Sequence, residues 1–285
     1  MEKITIAGIR RGNQFSPNHI GNDAAIFNLT ASHLRELGCV VNEYTETDLM
    51  EREIQETRIF NMVRDLRSVE KLQQLEDKGC EVVNSGYGIQ NCTRERMTRL
   101  LITNQIPHPE SLILHTHEDP TAALEEKGFY NCWIKRGDFH AIHREDVTYV
   151  RNPAEAKSIL QEYALRGIET AVINEHLKGD LIKFYGVTGT GFFYWFYPSS
   201  NDHSKFGLEQ INGTAKGIPF DEHAMQDCCN QAAKVLNIHI YGGDCIVSED
   251  GTMRIIDFND WPSFAPCRNQ VAPEIAKRIY HLLCK

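Results

Sequence analysis

At 285 residues, 41% hydrophobic and 24% charged, the chain has the composition of a water-soluble globular protein and is long enough for two or three packed units of ordinary domain size. A formal charge of -9 argues against the broad basic face that nucleic acid demands, although a local basic pocket for a small anion is compatible with an acidic surface. No apolar run approaches the roughly 20 residues that span a bilayer, and the first residues read as a strand rather than a signal peptide, so the expectation is a cytoplasmic protein with neither membrane nor nucleic acid as partner. Nine scattered cysteines, an odd number with no CxxC pair, indicate neither a disulfide framework nor a zinc knuckle.

The run ITIAGI reads as a buried strand, followed by a loop from Arg10 and Arg11 to Gly21. Asn22 or Asp23 is placed to cap the helix AAIFNLTASHLRELG, which Gly38 ends. CVVNEYT, TRIFNMV and CEVVNS read as further strands, with the helix SVEKLQQLEDKG before the last. Strands alternating with helices over residues 1–86 predict a parallel sheet flanked by helices. Ligands of such sheets lie beyond the carboxyl ends of the strands, so the loop at 9–22 is a substrate-site candidate, with a plain polar surface loop as the equal alternative.

The segment IQNCTRERMTRLLITNQ reads as one helix with Arg94, Arg96 and Arg99 on a basic face, stopped by the prolines of IPHP. SLILHT is strand-like, and a short helix follows at 119–127. In NCWIKRG, Lys135 sits inside an otherwise apolar strand, which is costly unless its ammonium reaches an anion or water. The strand DVTYVR, the helix PAEAKSILQEYALRG and the strand AVINEHL lead to LIKFYGVTG, where Lys183 interrupts another apolar run. This antiparallel pattern differs from the parallel start, which sets unit boundaries at 1–86, 87–175 and 176–285.

The most informative stretch is IYGGDCIVSEDGTMRIIDFND. Two β-rich runs flank Ser248-Glu249-Asp250-Gly251, and a DG pair between such runs signals a hairpin. Alternation along a strand puts Asp257 and Asn259 on one side. With Asp250-Gly251 as a two-residue loop, Asp244 falls opposite Asp257; with Glu249-Asp250 it falls opposite Ile255, on the same face. Two carboxylates beside an amide oxygen make a hard site suited to Mg2+, whose remaining positions go to water and phosphate. An acidic hairpin facing solvent is the alternative, but Ile255, Ile256 and Phe258 mark this strand as buried.

In their order, these landmarks resemble the ATP-grasp superfamily: Asn84-Ser85 before a helix, I-P-x-P after it, the in-strand Lys135, the hinge-like INEHL, and Asp244 ahead of Asp257-x-Asn259. The likeness spans nearly the whole chain and comes closest to the compact carboxylate-amine ligases, such as the ribosomal-protein glutamate ligases and D-alanine:D-alanine ligase. It implies an α/β (α+β) chain in which an N-terminal parallel sheet precedes a two-lobed domain of antiparallel sheets with ATP between them. It further implies that Lys135 and Arg94 contact the nucleotide phosphates, that the backbone of Glu175 and Leu177 meets adenine, and that Asp180 binds ribose. Lys183 would face the phosphates, and Lys205, with His203, would fold over them. Asp244, Asp257 and Asn259 would hold Mg2+, with Mn2+ as an alternative, and Arg268 and Ser263 would reach the acceptor. The chain departs from the family's pattern at 135–146, where KRGDFHAIHRED has one glycine and carries His140 and His143 in place of a glycine-rich flap.

The function this implies is an ATP-dependent carboxylate-amine ligase working through an acyl phosphate and releasing ADP and phosphate. Its partners would be small-molecule or peptide carboxylates and amines, with a homodimer left open. A small-molecule kinase of the inositol phosphate type and a catalytically weak ATP-binding module are the alternatives.

Overall fold

The computed structural model describes residues 4–15, 20–139, 144–198 and 211–284. The first unit contains β1 (Thr5–Ile9), α1 (Ile20–Glu36), β2 (Val40–Tyr44), α2 (Glu46–Glu51), β3 (Arg58–Asn61), α3 (Leu66–Asp77) and β4 (Glu81–Val83). Its four strands are parallel in the order β2-β1-β3-β4. Alternation along the strands splits the apolar residues between two faces. Ile6, Phe60 and Val83 bury against α1, while Ala7, Ile9 and Ile59 bury against Leu49, Val69 and Leu72 of α2 and α3. The α2 helix was not foreseen. Its signal is the capping box of Thr45 and Asp48, in which each residue's side chain accepts from the other's backbone N–H.

Two helices follow, α4 (Gly86–Asn91) and α5 (Arg94–Thr103), in place of the single helix expected. The break falls at Thr93, whose extended ψ of 144° turns the chain, and α5 therefore starts at Arg94. The three arginines do not share a face: Arg94 is buried, whereas Arg96 donates to Gln90 and Arg99 pairs with Glu95.

The second sheet is antiparallel, built from β5 (Ser111–His115), β6 (Cys132–Arg136), β7 (Val147–Val150) and β8 (Thr170–Glu175) in the order β5-β8-β6-β7. Between its strands lie α6 (Thr121–Lys127) and α7 (Pro153–Leu165), and Cys132, Ile134, Ala171 and Ile173 pack with Leu160 and Tyr163 of α7. The opposite face, with Trp133, Lys135, Val172 and Asn174, is thereby left for something else.

The third sheet, order β10-β9-β11-β12, comprises β9 (Asp180–Val187), β10 (Phe193–Phe196), β11 (Ile240–Val247) and β12 (Met253–Asp260), with α8 (Glu222–Leu236) before β11. The last helix, α9 (Arg268–Leu283), returns to the first unit, where Val271, Ile275 and Ile279 join the core that α1 makes with Ile6 and Phe60. Among the described residues no helix is long and apolar enough to cross a membrane.

Candidate active site

The hairpin expected around Asp250 forms, with a different turn. Ser248 N–H donates to the Thr252 carbonyl (2.9 Å) and Gly251 N–H to that of Ser248 (2.8 Å), leaving three residues in the loop rather than two. From that end the ladder pairs Val247 with Met253, Ile246 with Arg254 and Cys245 with Ile255. It then steps by one, pairing Asp244 with Asp257 and Gly242 with Asn259, so Ile256 is an inserted bulge residue. The bulge reverses the alternation. Ile255 and Phe258 both reach the core, and Asp257 and Asn259 share the half-exposed face. Without it, Asp257 would point the same way as Ile255. The glycines before Asp244 permit the close pairing: a Cβ on Gly243 would lie 2.2 Å from the Asp257 carbonyl oxygen.

Lys183 of β9 is the cross-strand neighbour of Asp244, so Lys183, Asp244 and Asp257 form one row over three strands. Lys183 Nζ lies 3.1 Å from Asp244 Oδ1. Arg94, at the start of α5, forks Asp257, with Nη1 3.2 Å from Oδ1 and Nη2 3.2 Å from Oδ2. Two adjacent carboxylates are thus bracketed by cations, without which they would repel each other. The Nε of Arg94 is buried without a hydrogen-bond partner.

Lys135 enters from the opposite sheet. It projects from the face of β6 that turns away from α7, is 7% exposed, and donates from Nζ to the carbonyl of Ile256 at 2.8 Å. Burial, followed by the nearby Arg94, pulls its pKa down to about 7, opposed by Asp257 and Asp244. Where the second and third sheets meet, Lys135, Lys183, Arg94, Asp244 and Asp257 therefore come together, with Asn259 on the same face of β12 as Asp257.

Among the described residues no group of three His, Cys, Asp or Glu side chains gathers as a metal cage. Two adjacent carboxylates and an amide fit a cation that keeps open positions for water and phosphate, as Mg2+ does. Cross-strand neighbours have Cβ atoms about 5 Å apart, close enough for both carboxylates to share one ion.

In the second sheet, β8 finishes at Glu175, whose N–H donates to the Glu110 carbonyl (2.9 Å) and whose Oε1 accepts from Glu110 N–H (2.8 Å). Leu177 is buried two residues on. Here the structure adds residues that the sequence reading did not single out. Trp133, two positions before Lys135, donates from Nε1 to His176 Nδ1 (3.1 Å), and Tyr149 packs against both rings. The period of two along β6 was the available signal. His108, in the IPHP turn, donates from Nδ1 to the Pro109 carbonyl (2.7 Å), and its Nε2 is buried without a partner. Burial, then Lys135, lowers its pKa to about 4.

Asp180 is tied to a segment further along the chain. Its carboxylate is 3% exposed and accepts from the backbone N–H groups of Lys216 and Ile218, both at 2.8 Å. Each oxygen uses one of its two lone pairs to hold that segment. Arg268 belongs to another neighbourhood: it opens α9 and donates to Asn22 Oδ1 (2.6 Å) in the first turn of α1, with Ser263 half-buried on the connection before it. Asn22 and Asp23 lie inside α1 rather than capping it. The two arginines of the loop at 9–22 diverge, Arg10 lying over the Phe27 ring beside Glu43 and Arg11 turning inward. His140, His143, His203 and Lys205 lie outside the described residues.

No family model matches the sequence, and no curated protein does. Solved structures do, over whole chains. A D-alanine–D-alanine ligase from Bacillus anthracis, complexed with ATP, is 13% identical with a TM-score of 0.70, covering 99% of this chain and 97% of its own. The D-alanine-D-alanine ligase of Coxiella burnetii is 14% identical with a TM-score of 0.70, covering 99% and 95%. The ATP-grasp ligase PsnB, complexed with a minimal precursor, is 14% identical with a TM-score of 0.63, covering 99% and 100%; it is also known with Mg and ADP.

Proposed function

We propose that this chain, which has the ATP-grasp fold, is an ATP-dependent carboxylate-amine ligase that uses the cleft between its two antiparallel sheets. The observation that carries the reading is the row Lys183, Asp244, Asp257, Arg94, with Lys135 facing it from the other sheet. Cations interleaved with a pair of carboxylates match the needs of a metal-bound polyphosphate better than those of a neutral ligand.

In this mechanism ATP enters with its base towards the 175–177 hinge and its phosphates towards Lys135. Arg94 and Lys183 exchange their carboxylate partners for phosphate oxygens, which leaves Asp257 and Asp244 to turn, with Asn259, towards a divalent cation. When bound, Mg2+ or Mn2+ supplies neutralisation of the β- and γ-phosphate charge. The chain's own contribution is alignment and charge: Lys135, Lys183 and Arg94 allow an anionic carboxylate to approach the γ-phosphorus. An oxygen of that carboxylate bonds to phosphorus as the bond to ADP breaks. The amine nitrogen of the second substrate then bonds to the acyl carbon, phosphate departs with the bonding pair, and the nitrogen loses a proton. Water competes for the same acyl phosphate, so the cleft must be closed during turnover.

Arg268, which reaches the first turn of α1, and Ser263, on the connection before it, are proposed to face the acceptor, and Lys205 the phosphates. The carboxylate and amine are small molecules or peptides, a range that the fold's relatives cover, since PsnB is known with a precursor peptide. ADP release over panels of amino acids, peptides and polyols tests the reading. Amide product with stoichiometric ADP is expected. A phosphorylated polyol without amide would make the protein a kinase, and nucleotide binding without turnover would make it a binding module.

A further inference from the structure

Both strands that carry the metal-ligand candidates are gripped from outside their own sheet. On β11, the Asn84 side chain, at the end of β4, donates to the Ile240 carbonyl (2.8 Å) and accepts from the N–H groups of His239 (2.8 Å) and Ile240 (3.0 Å). On β12, the two carbonyls that directly follow Asn259 are held by guanidinium groups of the first unit. Arg64 donates from Nη2 to the Asp260 carbonyl (3.2 Å), and Arg11 from Nη2 to that of Trp261 (2.8 Å).

Arg11 uses its whole fork. Nε donates to the Met62 carbonyl (3.1 Å) just past β3, and Nη1 pairs with Asp23 Oδ2 of α1 (3.1 Å). Arg64 lies 3.6 Å from Asp260 Oδ1 as well as bonding its backbone. The two loops that bear these arginines are themselves fixed by one buried carboxylate. Glu46 accepts from the N–H groups of Gly12 (2.8 Å), Arg64 (3.2 Å) and Asp65 (3.1 Å). Two neighbouring buried guanidiniums repel, and burial together with Arg64 lowers the Arg11 pKa. A plain tether between domains could use one neutral side chain, as Asn84 does. Two charged forks on consecutive carbonyls, where the chain turns through a positive φ of 26° at Trp261, define the position of the residue before them.

We infer that Arg11 and Arg64 are positioning residues for Asn259, by which the parallel-sheet unit sets the geometry of the metal site across the domain boundary. This rests on the nucleotide and metal reading above and adds to it a part for residues that touch neither group. Lysine in either place keeps the charge and loses the rigid planar fork, so its donors radiate from a single nitrogen and cannot span acceptors as widely placed as those of the guanidinium.

The test is Mn2+ binding followed by electron paramagnetic resonance, with the full chain and a non-hydrolysable ATP analogue. Arg64→Lys and Arg11→Lys are each expected to weaken Mn2+ binding by about tenfold, the scale of outer-shell losses at metal sites, while metal-free affinity for the analogue stays as in wild type. In an Asn259→Ala background, neither substitution should weaken Mn2+ further. Unchanged Mn2+ binding in the single variants, or an equal further loss in the Asn259→Ala background, overturns the inference, because a general loosening would be additive. Wild type that binds the analogue and no Mn2+ overturns the metal reading itself, and so is distinguished from failure of the positioning role. Should the buried Arg11→Lys fail to fold, Arg64→Lys, whose side chain is 12% exposed, carries the test.

Discussion

Lys135 Nζ donates at 2.8 Å to the carbonyl oxygen of Ile256, the residue inserted into the ladder immediately before Asp257. A bulge leaves one backbone group out of the ladder, and here that group accepts a cation from the facing sheet. The bond ties the two sheets at the point where the phosphates are proposed to lie. Replacing Lys135 with alanine is expected to weaken ATP binding at least tenfold, measured by titration calorimetry; an unchanged dissociation constant would remove Lys135 from the site.

Asp257→Asn keeps size and a hydrogen-bonding oxygen while removing the charge that meets Arg94 and the proposed cation. Turnover measured by ADP release should fall by 100-fold or more, with rates that no longer saturate in Mg2+. Asparagine is the better choice than alanine, since its amide oxygen still accepts a hydrogen bond from the buried Arg94, whereas alanine would leave no acceptor there.

Asp180 can be tested both as a backbone latch and as a ribose ligand. If its carboxylate latches the backbone at 216–218, Asp180→Asn should lower the melting temperature, because an amide cannot accept both N–H groups as strongly and the loss of one buried bond costs about 1–3 kcal/mol. The ratio of affinities for ATP and 2′-deoxy-ATP should be the same in wild type and variant. A ratio that collapses in the variant would assign Asp180 the ribose role.

Acid sensitivity follows from His239, at the start of β11, which meets Thr188 Oγ1 (2.9 Å) and Arg278 Nη2 (3.2 Å) through Nδ1. Burial, then Arg278, lowers its pKa from 6.5 to about 4. Between those values the unfolded chain takes up a proton that the folded one does not, so stability from this group is complete above about pH 6.5 and is lost as pH falls towards 4. Thermal denaturation should show wild type losing more stability between pH 7 and pH 5 than His239→Gln does. Equal losses would contradict the assignment.

Much of the site was legible because it rests on the strand period and on misplaced charge. Asp244, Asp257 and Asn259 emerged from alternation in a hairpin, and Lys135 and Lys183 as lone cations in apolar runs. The bulge was not legible, since Ile255 and Ile256 are equally apolar and only the facing Lys135 and the core around Phe258 select which of them leaves the ladder. The Asp180 latch was not legible, because its partners lie 36 and 38 positions further along the chain, which no local spacing encodes. The divided helix at Cys92-Thr93 has no proline or glycine to announce it, and the bond from Glu95 N–H to the Gly137 carbonyl (2.9 Å) shows what the new helix start gains.

The central claim is that Asp244, Asp257 and Asn259 together hold the cation of a nucleotide whose phosphates meet Lys135. A crystal structure with a non-hydrolysable ATP analogue and Mn2+, read by anomalous scattering, tests it most directly. The account predicts one manganese peak bonded to oxygens of those three side chains and of the phosphates, with Arg94 and Lys183 moved from carboxylate to phosphate. Nucleotide bound elsewhere, or manganese away from Asp257 with both salt bridges intact, would contradict it.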